Sequence, residues 1–251
     1  MIKSEFLQLI GLYNLADTID AVRIYREPGD TKSMIHFVSP TRTIAGVITT
    51  DLLSIDEGVE FGIANTKKLK KLLSPLCEDK QLSLTLEKSQ TGHYYQLTVS
   101  DTIVDVSYIL CELAILPKKA KITKPSIDLE FTLNHATRDI LVKSINAIEA
   151  DKDIPKLFTL KSNKNSVEWI IGNRKTQNSN KIKMKIAPSS GALTKELTFN
   201  ADYLKDIIQS TDWMLDGDDM KLSMSNLGFA TTTISNTNTS VEYNLIQEKL
   251  V

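Results

Sequence analysis

The chain has 251 residues, 41% of them hydrophobic and 24% charged, with a formal net charge of −1. That composition excludes wholesale disorder, and the charge excludes the bulk basic excess that marks many nucleic-acid-binding proteins. The length favours two domains of ordinary size over one large one.

Taken in chain order, Ser4 offers an N-cap for a first amphipathic helix. Strand-like periodicity follows at 21–25, 34–38 and 43–49, with turns at Pro28-Gly-Asp and Ser39-Pro. A short apolar run, Glu60-Phe-Gly-Ile-Ala-Asn65, ends in asparagine, whose side-chain oxygen accepts from free amides of a first helical turn. At 100° per residue, the segment 65–76 places Leu69, Leu72, Leu73 and Leu76 on one face. Lys67 and Lys71 fall nearly opposite, flanked by Lys68 and Lys70. Further strands are predicted at 81–86, 95–99 and 103–109. Two prolines then bracket the lysine-rich run Leu116-Pro-Lys-Lys-Ala-Lys-Ile-Thr-Lys-Pro125, which has the periodicity of neither helix nor strand and reads as an exposed connector.

The second half repeats the plan. Glu130-Phe-Thr-Leu-Asn134 caps a helix over 134–149, where Leu141, Ile145 and Ile148 oppose Asp139, Lys143 and Asn146, with Arg138 near the start. Strands are predicted at 157–161, 167–171 and 182–186. Glu196-Leu-Thr-Phe-Asn200 caps a last helix over 200–210, whose face opposite Leu204, Ile207 and Ile208 carries Asp202 and Asp206, with Lys205 to the side. Strands at 220–225, 229–234 and 240–245 complete the chain.

Helix starts near 4, 65, 134 and 200 divide the sequence into four modules of about 65 residues, two per half. Asn65 and Asn200 are 135 residues apart, and at that offset Val106-Ser-Tyr-Ile-Leu110 lies on Val241-Glu-Tyr-Asn-Leu245. Duplication explains both matches. Few helices among many consecutive strands predict an antiparallel α+β fold: two similar domains, 1–115 and 126–251, each with two helices packed on antiparallel sheets, joined by the connector at 116–125.

The chemistry of catalysis is missing. His36, His93 and His135 are isolated from any ligand set at zinc spacing, and no phosphate loop, nucleophile elbow or His-Glu helix motif occurs. Asp216-Gly-Asp-Asp219 lacks the spaced ligands of a calcium loop and reads as a helix-to-strand turn. Neither an active site nor a cofactor is predicted. Cys77 and Cys111 are too few for a disulfide framework, and no apolar run reaches the roughly 18 to 20 residues of a bilayer span, so a cytosolic protein with reduced thiols is expected. The near-neutral total conceals segregation: lysines crowd into 67–71, 118–124 and 181–185, and acids into 51–60 and 212–219.

Module order and length, with Lys32-Ser-Met-Ile-His-Phe-Val38, Ile44-Ala-Gly-Val47, the Asn-capped helices, the connector and Leu227-Gly-Phe-Ala230, make the chain resemble the DNA polymerase sliding clamps. It looks most like those of T4-like phages and the eukaryotic and archaeal clamp. The resemblance implies a non-enzymatic ring around duplex DNA, a homotrimer because six domains close it, and a processivity factor for the replicative DNA polymerase. It further implies loading by an ATP-dependent clamp loader, no membrane, residence in the cytoplasm of an infected bacterial host, and room for a coactivator role in late transcription.

On the clamp reading, Lys67, Lys68, Lys70 and Lys71 are the leading sequence-independent DNA contacts, with Arg138, Lys143 and Lys205 secondary. A partner's short hydrophobic motif is expected to meet Ser39, Thr41, Ile115, Leu116, Ile122, Ile246 and Leu250. Duplicated β modules also suit a ring-forming or sheet-rich virion structural protein, and that alternative stands beside the clamp at this point.

Overall fold

The structure is a computed structural model that describes residues 1–119, 125–149, 155–163, 166–172 and 180–248. The chain divides into two compact units: residues 1–40, 45–121 and 237–241 form the first, and 41–44, 122–236 and 242–251 the second. Among the described residues, no helix is long and apolar enough to cross a membrane.

The first unit begins with α1 (Lys3–Asn14) and continues through β1 (Val22–Tyr25), β2 (Ser33–Val38), β3 (Ile44–Thr50) and β4 (Glu60–Ile63) to α2 (Thr66–Leu72). β5 (Ser83–Lys88), β6 (Tyr94–Ser100) and β7 (Asp105–Ile109) follow. The strands form two antiparallel arrays, in the orders β3-β2-β1-β4 and β5-β6-β7. Alternation decides which side chains go inside: in β3, Ile48 is buried between half-exposed neighbours, and in β7 Val106 and Tyr108 are buried between exposed ones. Phe6, Leu9, Ile10 and Tyr13 of α1 and Leu69 of α2 supply the helical share of the core.

Ser4 does not cap α1. The cap residue is Ile2, and the Glu5 carboxylate reaches back to accept from its N–H at 2.8 Å, leaving Ser4 exposed within the first turn. A carboxylate there also faces the positive end of the helix dipole. At the other end, Leu15, Ala16 and Asp17 have φ of 43°, 51° and 68°, a run of three non-glycine residues in the left-handed region. Such a residue costs about 1–2 kcal/mol. Asn14 holds the turn by donating to Ile19 O at 2.7 Å, and the Lys70 ammonium lies 3.1 Å from both Asn14 Oδ1 and Asp17 Oδ1. Ala16 is exposed, so Ala16→Gly should relieve strain without forfeiting packing. After the greater unfolded-state freedom of glycine is deducted, a net gain of about 0.5–1 kcal/mol is expected in urea denaturation. A destabilised variant would show the strain to be negligible.

The second unit comprises β8 (Leu129–Leu133), α3 (His135–Ala147), β9 (Leu157–Asn163), β10 (Ser166–Ile171), β11 (Ile182–Ile186), β12 (Ser190–Gly191), β13 (Leu197–Asn200), α4 (Ala201–Leu215), β14 (Met220–Ser225), β15 (Phe229–Ser235) and β16 (Thr239–Ile246), the last from Glu242 onward. Its orders are β12-β8-β14-β15-β16 and β11-β10-β9-β13. Trp169 anchors the core, fully buried with Phe131 edge-on at 4.9 Å and Phe158 stacked at 5.6 Å. Gly191 pairs with Leu129 at φ 79°, and a Cβ there would lie 2.0 Å from Asp128 O, so only glycine lets β12 approach β8.

The three asparagines cap as expected. Asn65 Oδ1 accepts from Lys68 N at 2.7 Å, Asn134 Oδ1 from Thr137 N at 2.9 Å, and Asn200 Oδ1 from Asp202 N at 2.9 Å. Asp216 and Gly217 take positive φ after α4, making the predicted helix-to-strand turn.

Candidate nucleic-acid interface

α2 is short because its capped start is followed within two turns by Ser74 and Pro75, yet Leu69, Leu73 and Leu76 are buried as the wheel requires, and Leu72 is half-buried. The lysines between them divide into two kinds. Lys67, Lys68 and Lys71 are exposed, and among the described residues their ammonium groups form no ion pair. Lys70 is half-buried and committed to the left-handed turn after α1, so its role is internal.

The remaining predicted cations are engaged. Lys143 is well exposed but donates to Asp139 Oδ2 at 2.6 Å, one turn back on α3. Lys205 lies 3.2 Å from Asp202 and 3.5 Å from Asp206. Partial burial works against its charge, but Asp206 and Asp202 outweigh that and hold its pKa above the usual lysine range. Arg138 is a correction: the residue is 1% exposed, and Nη1 donates to Leu133 O at 3.1 Å and Asp218 O at 2.6 Å. A guanidinium so enclosed ties the start of α3 to the turn after α4 and cannot meet a phosphate. The sequence places it only four residues after the cap, on the edge of the apolar stripe, and that position signals burial.

Asp206 is buried beside this lysine. Burial pushes its carboxyl up to about 6, against the pull of Lys205 and with a further push from Asp202. A raised carboxyl binds its proton more tightly folded than unfolded. The stability it contributes is therefore complete below the unfolded value of 3.8 and is lost as pH rises through about 6. Asp206→Asn removes that loss, so the variant should gain on the parent by about 2 kcal/mol between pH 4 and pH 7. Urea denaturation at the two pH values checks this; an advantage independent of pH would contradict it.

The residues expected to meet a partner's motif fall in both units. In the first, Ser39 is buried, Ile115 is 68% exposed and Leu116 is 5% exposed. A Cβ on Gly62 would lie 2.3 Å from Leu116 Cδ1, so the glycine makes room for that side chain. Leu116 is therefore partly core, a departure from a wholly exposed connector. In the second unit, exposed Thr41 lies 2.7 Å from Thr43 Oγ1 and 3.3 Å from Tyr203 OH, while Ile246 N–H donates to Thr43 O at 2.8 Å, which draws Thr41 and Ile246 together. Ile122 and Leu250 lie outside the described residues.

Sequence reasoning missed what fastens the start of the connector. Arg23 on β1 donates to Leu113 O at 2.8 Å and Pro117 O at 3.3 Å and pairs with Glu60. Lys119 lies 2.7 Å from Glu27 and 3.3 Å from Glu60, and 3.8 Å over the Tyr25 ring. Neither partner set has a local spacing that a sequence could display. His36, cross-strand from Arg23, is buried with neither nitrogen hydrogen-bonded among the described residues, and burial, then Arg23 and Lys119, holds its pKa down. Among the described residues, no group of three or more His, Cys, Asp or Glu is placed to hold a metal ion.

Against solved structures, Proliferating Cellular Nuclear Antigen from Entamoeba histolytica superposes with a TM-score of 0.73 at 15% identity, over 99% of this chain and 96% of that one. PCNA from A. fulgidus, solved with the C-terminal region of FEN-1 bound, gives 0.71 at 14% identity over 100% and 98%. The chain has the DNA polymerase sliding-clamp fold. A third clamp structure, the PCNA2-PCNA3 complex from Sulfolobus tokodaii, gives 0.66 at 11% identity over 99% and 98%. No family model and no curated protein matches the chain. The clamp fold thus spans the whole chain, at an identity where the fold alone is shared.

Proposed function

We propose that the chain is one subunit of a homotrimeric phage sliding clamp that encircles duplex DNA in the host cytoplasm and tethers the replicative DNA polymerase. The observation that carries this is the triplet Lys67, Lys68 and Lys71, presented without carboxylate partners among the described residues on a helix of a clamp-fold chain. Exposed ammonium groups on flexible stems attract phosphate in any sequence and hold none of it rigidly, which is what a sliding contact needs. Lys143 and Lys205 contribute less because Asp139, Asp202 and Asp206 already neutralise them.

Head-to-tail contacts close a three-membered ring when each turns the next subunit by about 120°. An A. fulgidus clamp binds the C-terminal region of FEN-1, and we assign a comparable role here to Ser39, Thr41, Ile115, Leu116, Ile122, Ile246 and Leu250 as the receiving surface for polymerase and for an ATP-dependent loader. The ring itself is non-enzymatic in this reading, and the same ring on DNA serves late transcription as a coactivator.

Topology tests the proposal. Loaded with its cognate loader and ATP onto nicked circular duplex, the protein should co-elute with the DNA in gel filtration and be lost once the circle is cut, since a ring slides off an end. Sedimentation should give three times the chain mass of 28.1 kDa. Equal retention on circular and linear DNA would refute encirclement.

A further inference from the structure

The two units share one plan. The array β3-β2-β1-β4 corresponds to β11-β10-β9-β13, and β5-β6-β7 corresponds to β14-β15-β16. In the second unit the outer edge of β14 is covered by β8, which is itself covered by β12 from the loop between β11 and β13. In the first unit the loop at 51–59, between β3 and β4, stands in the place of β12, and β5 in the place of β14.

What corresponds to β8 is only the first rung. Ile2 bridges Gln81, and Leu82 N–H donates to Met1 O at 2.9 Å. From Ser83 onward, no strand pairs with the outer edge of β5 among the described residues. Between β5 and the 51–59 loop lies a groove of about 510 Å3, lined by Leu53, Ile55, Phe61, Leu84 and Leu86 and bounded by Lys88.

Burial records the same vacancy. At the 135-residue offset Leu97 corresponds to Thr232, and continuing the β14–β15 register from Ser223 and Thr231 pairs Thr232 with Leu222. Leu86, which pairs with Leu97, therefore corresponds to Leu222, and Leu84 to Met220. Met220 and Leu222 are fully buried, opposite Leu133 and Phe131 of β8, whereas Leu84 and Leu86 are half-exposed. Lys88 reaches over the Tyr94 ring at 4.8 Å and makes no ion pair among the described residues.

We propose that this groove is a strand-acceptor site in which an extended segment of a partner protein adds antiparallel to β5, as β8 adds to β14. The open edge of β5 supplies main-chain hydrogen bonds, and alternate side chains enter the groove. The register sets the occupant's pattern from its N-terminal end: an acidic residue toward Lys88, then apolar residues opposite Leu86 and Leu84, each two positions apart. The site belongs to the first unit alone and does not depend on ring closure or on DNA.

The probe is a fluorescein-labelled synthetic peptide of residues 127–133, Ile-Asp-Leu-Glu-Phe-Thr-Leu, carrying Leu129→Glu. Titrated with the full-length protein, it should show saturable anisotropy. Leu86→Glu in the protein should lower the affinity at least about tenfold with the melting temperature unchanged. Lys88→Glu, on an exposed residue that is safe for folding, should weaken this peptide more than the version retaining Leu129. N-methylation of the peptide amides that face β5 should abolish binding. The proposal is overturned by absence of saturable binding at millimolar peptide, or by binding indifferent to N-methylation and to both protein variants.

Discussion

Replacing Lys67, Lys68 and Lys71 together by glutamate should reduce DNA retention at least about 100-fold at low salt and remove polymerase stimulation at moderate salt. Each phosphate neutralised contributes about −0.9 to the slope of log affinity against log salt concentration, so losing three contacts per subunit should flatten that slope by roughly 3 for each subunit engaged, and by about 8 for a trimer with all of them engaged. The three ammonium groups are exposed, and the buried side of α2 rests on Leu69, Leu73 and Leu76, so thermal stability should hold. Lys70→Gln separates the two roles of this helix. It breaks the contacts to Asn14 and Asp17 and should lower the melting temperature while leaving the salt slope near that of the parent. A triple variant that retains DNA normally would mean that α2 does not face it.

Trp169→Ala should cost about 3–5 kcal/mol, the largest single-residue loss we expect. Trp169 is fully buried between Phe131 and Phe158, and Phe158 stacks in turn on Phe199 at 5.3 Å, so truncation opens a cavity bounded by rings on separate strands. Among the described residues the indole Nε1 has no hydrogen-bond partner, and the cost is therefore one of packing and transfer. Trp169→Phe, which keeps an aromatic contact to both neighbours, should lose less than half as much. Circular dichroism during urea denaturation measures both; a loss under about 1 kcal/mol for the alanine variant would show that the rings close over the gap.

The Asp206 titration bears on the interface as well. α4 carries Asp202 and the buried Asp206 beside Lys205, and the pair of carboxylates leaves this helix with no surplus positive charge at neutral pH. On the proposed function, attraction to DNA would therefore be concentrated in the first unit. That unevenness follows from the sequence, where the same wheel positions hold Lys67 and Lys71 on one helix and Asp202 and Asp206 on its counterpart.

By itself the sequence determined the element types, their order and the duplication. Those depend on short-range physics: alternation in strands, the leucine stripe of α2, and asparagines that bond amides two or three residues away. The departure of Ser4 from the cap of α1 is local too, since Glu5 takes the N–H of Ile2 at that end. Only the tertiary structure decided which cations are free. Lys70 is claimed by Asp17, 53 residues away, and Arg138 by Asp218, 80 away. Arg23 is held by Leu113, 90 away. Formal charge is written in the sequence, but its availability to a ligand depends on burial and on partners brought together by folding. The open edge of β5 has the same origin, because a missing neighbour is a property of the sheet and not of any strand within it.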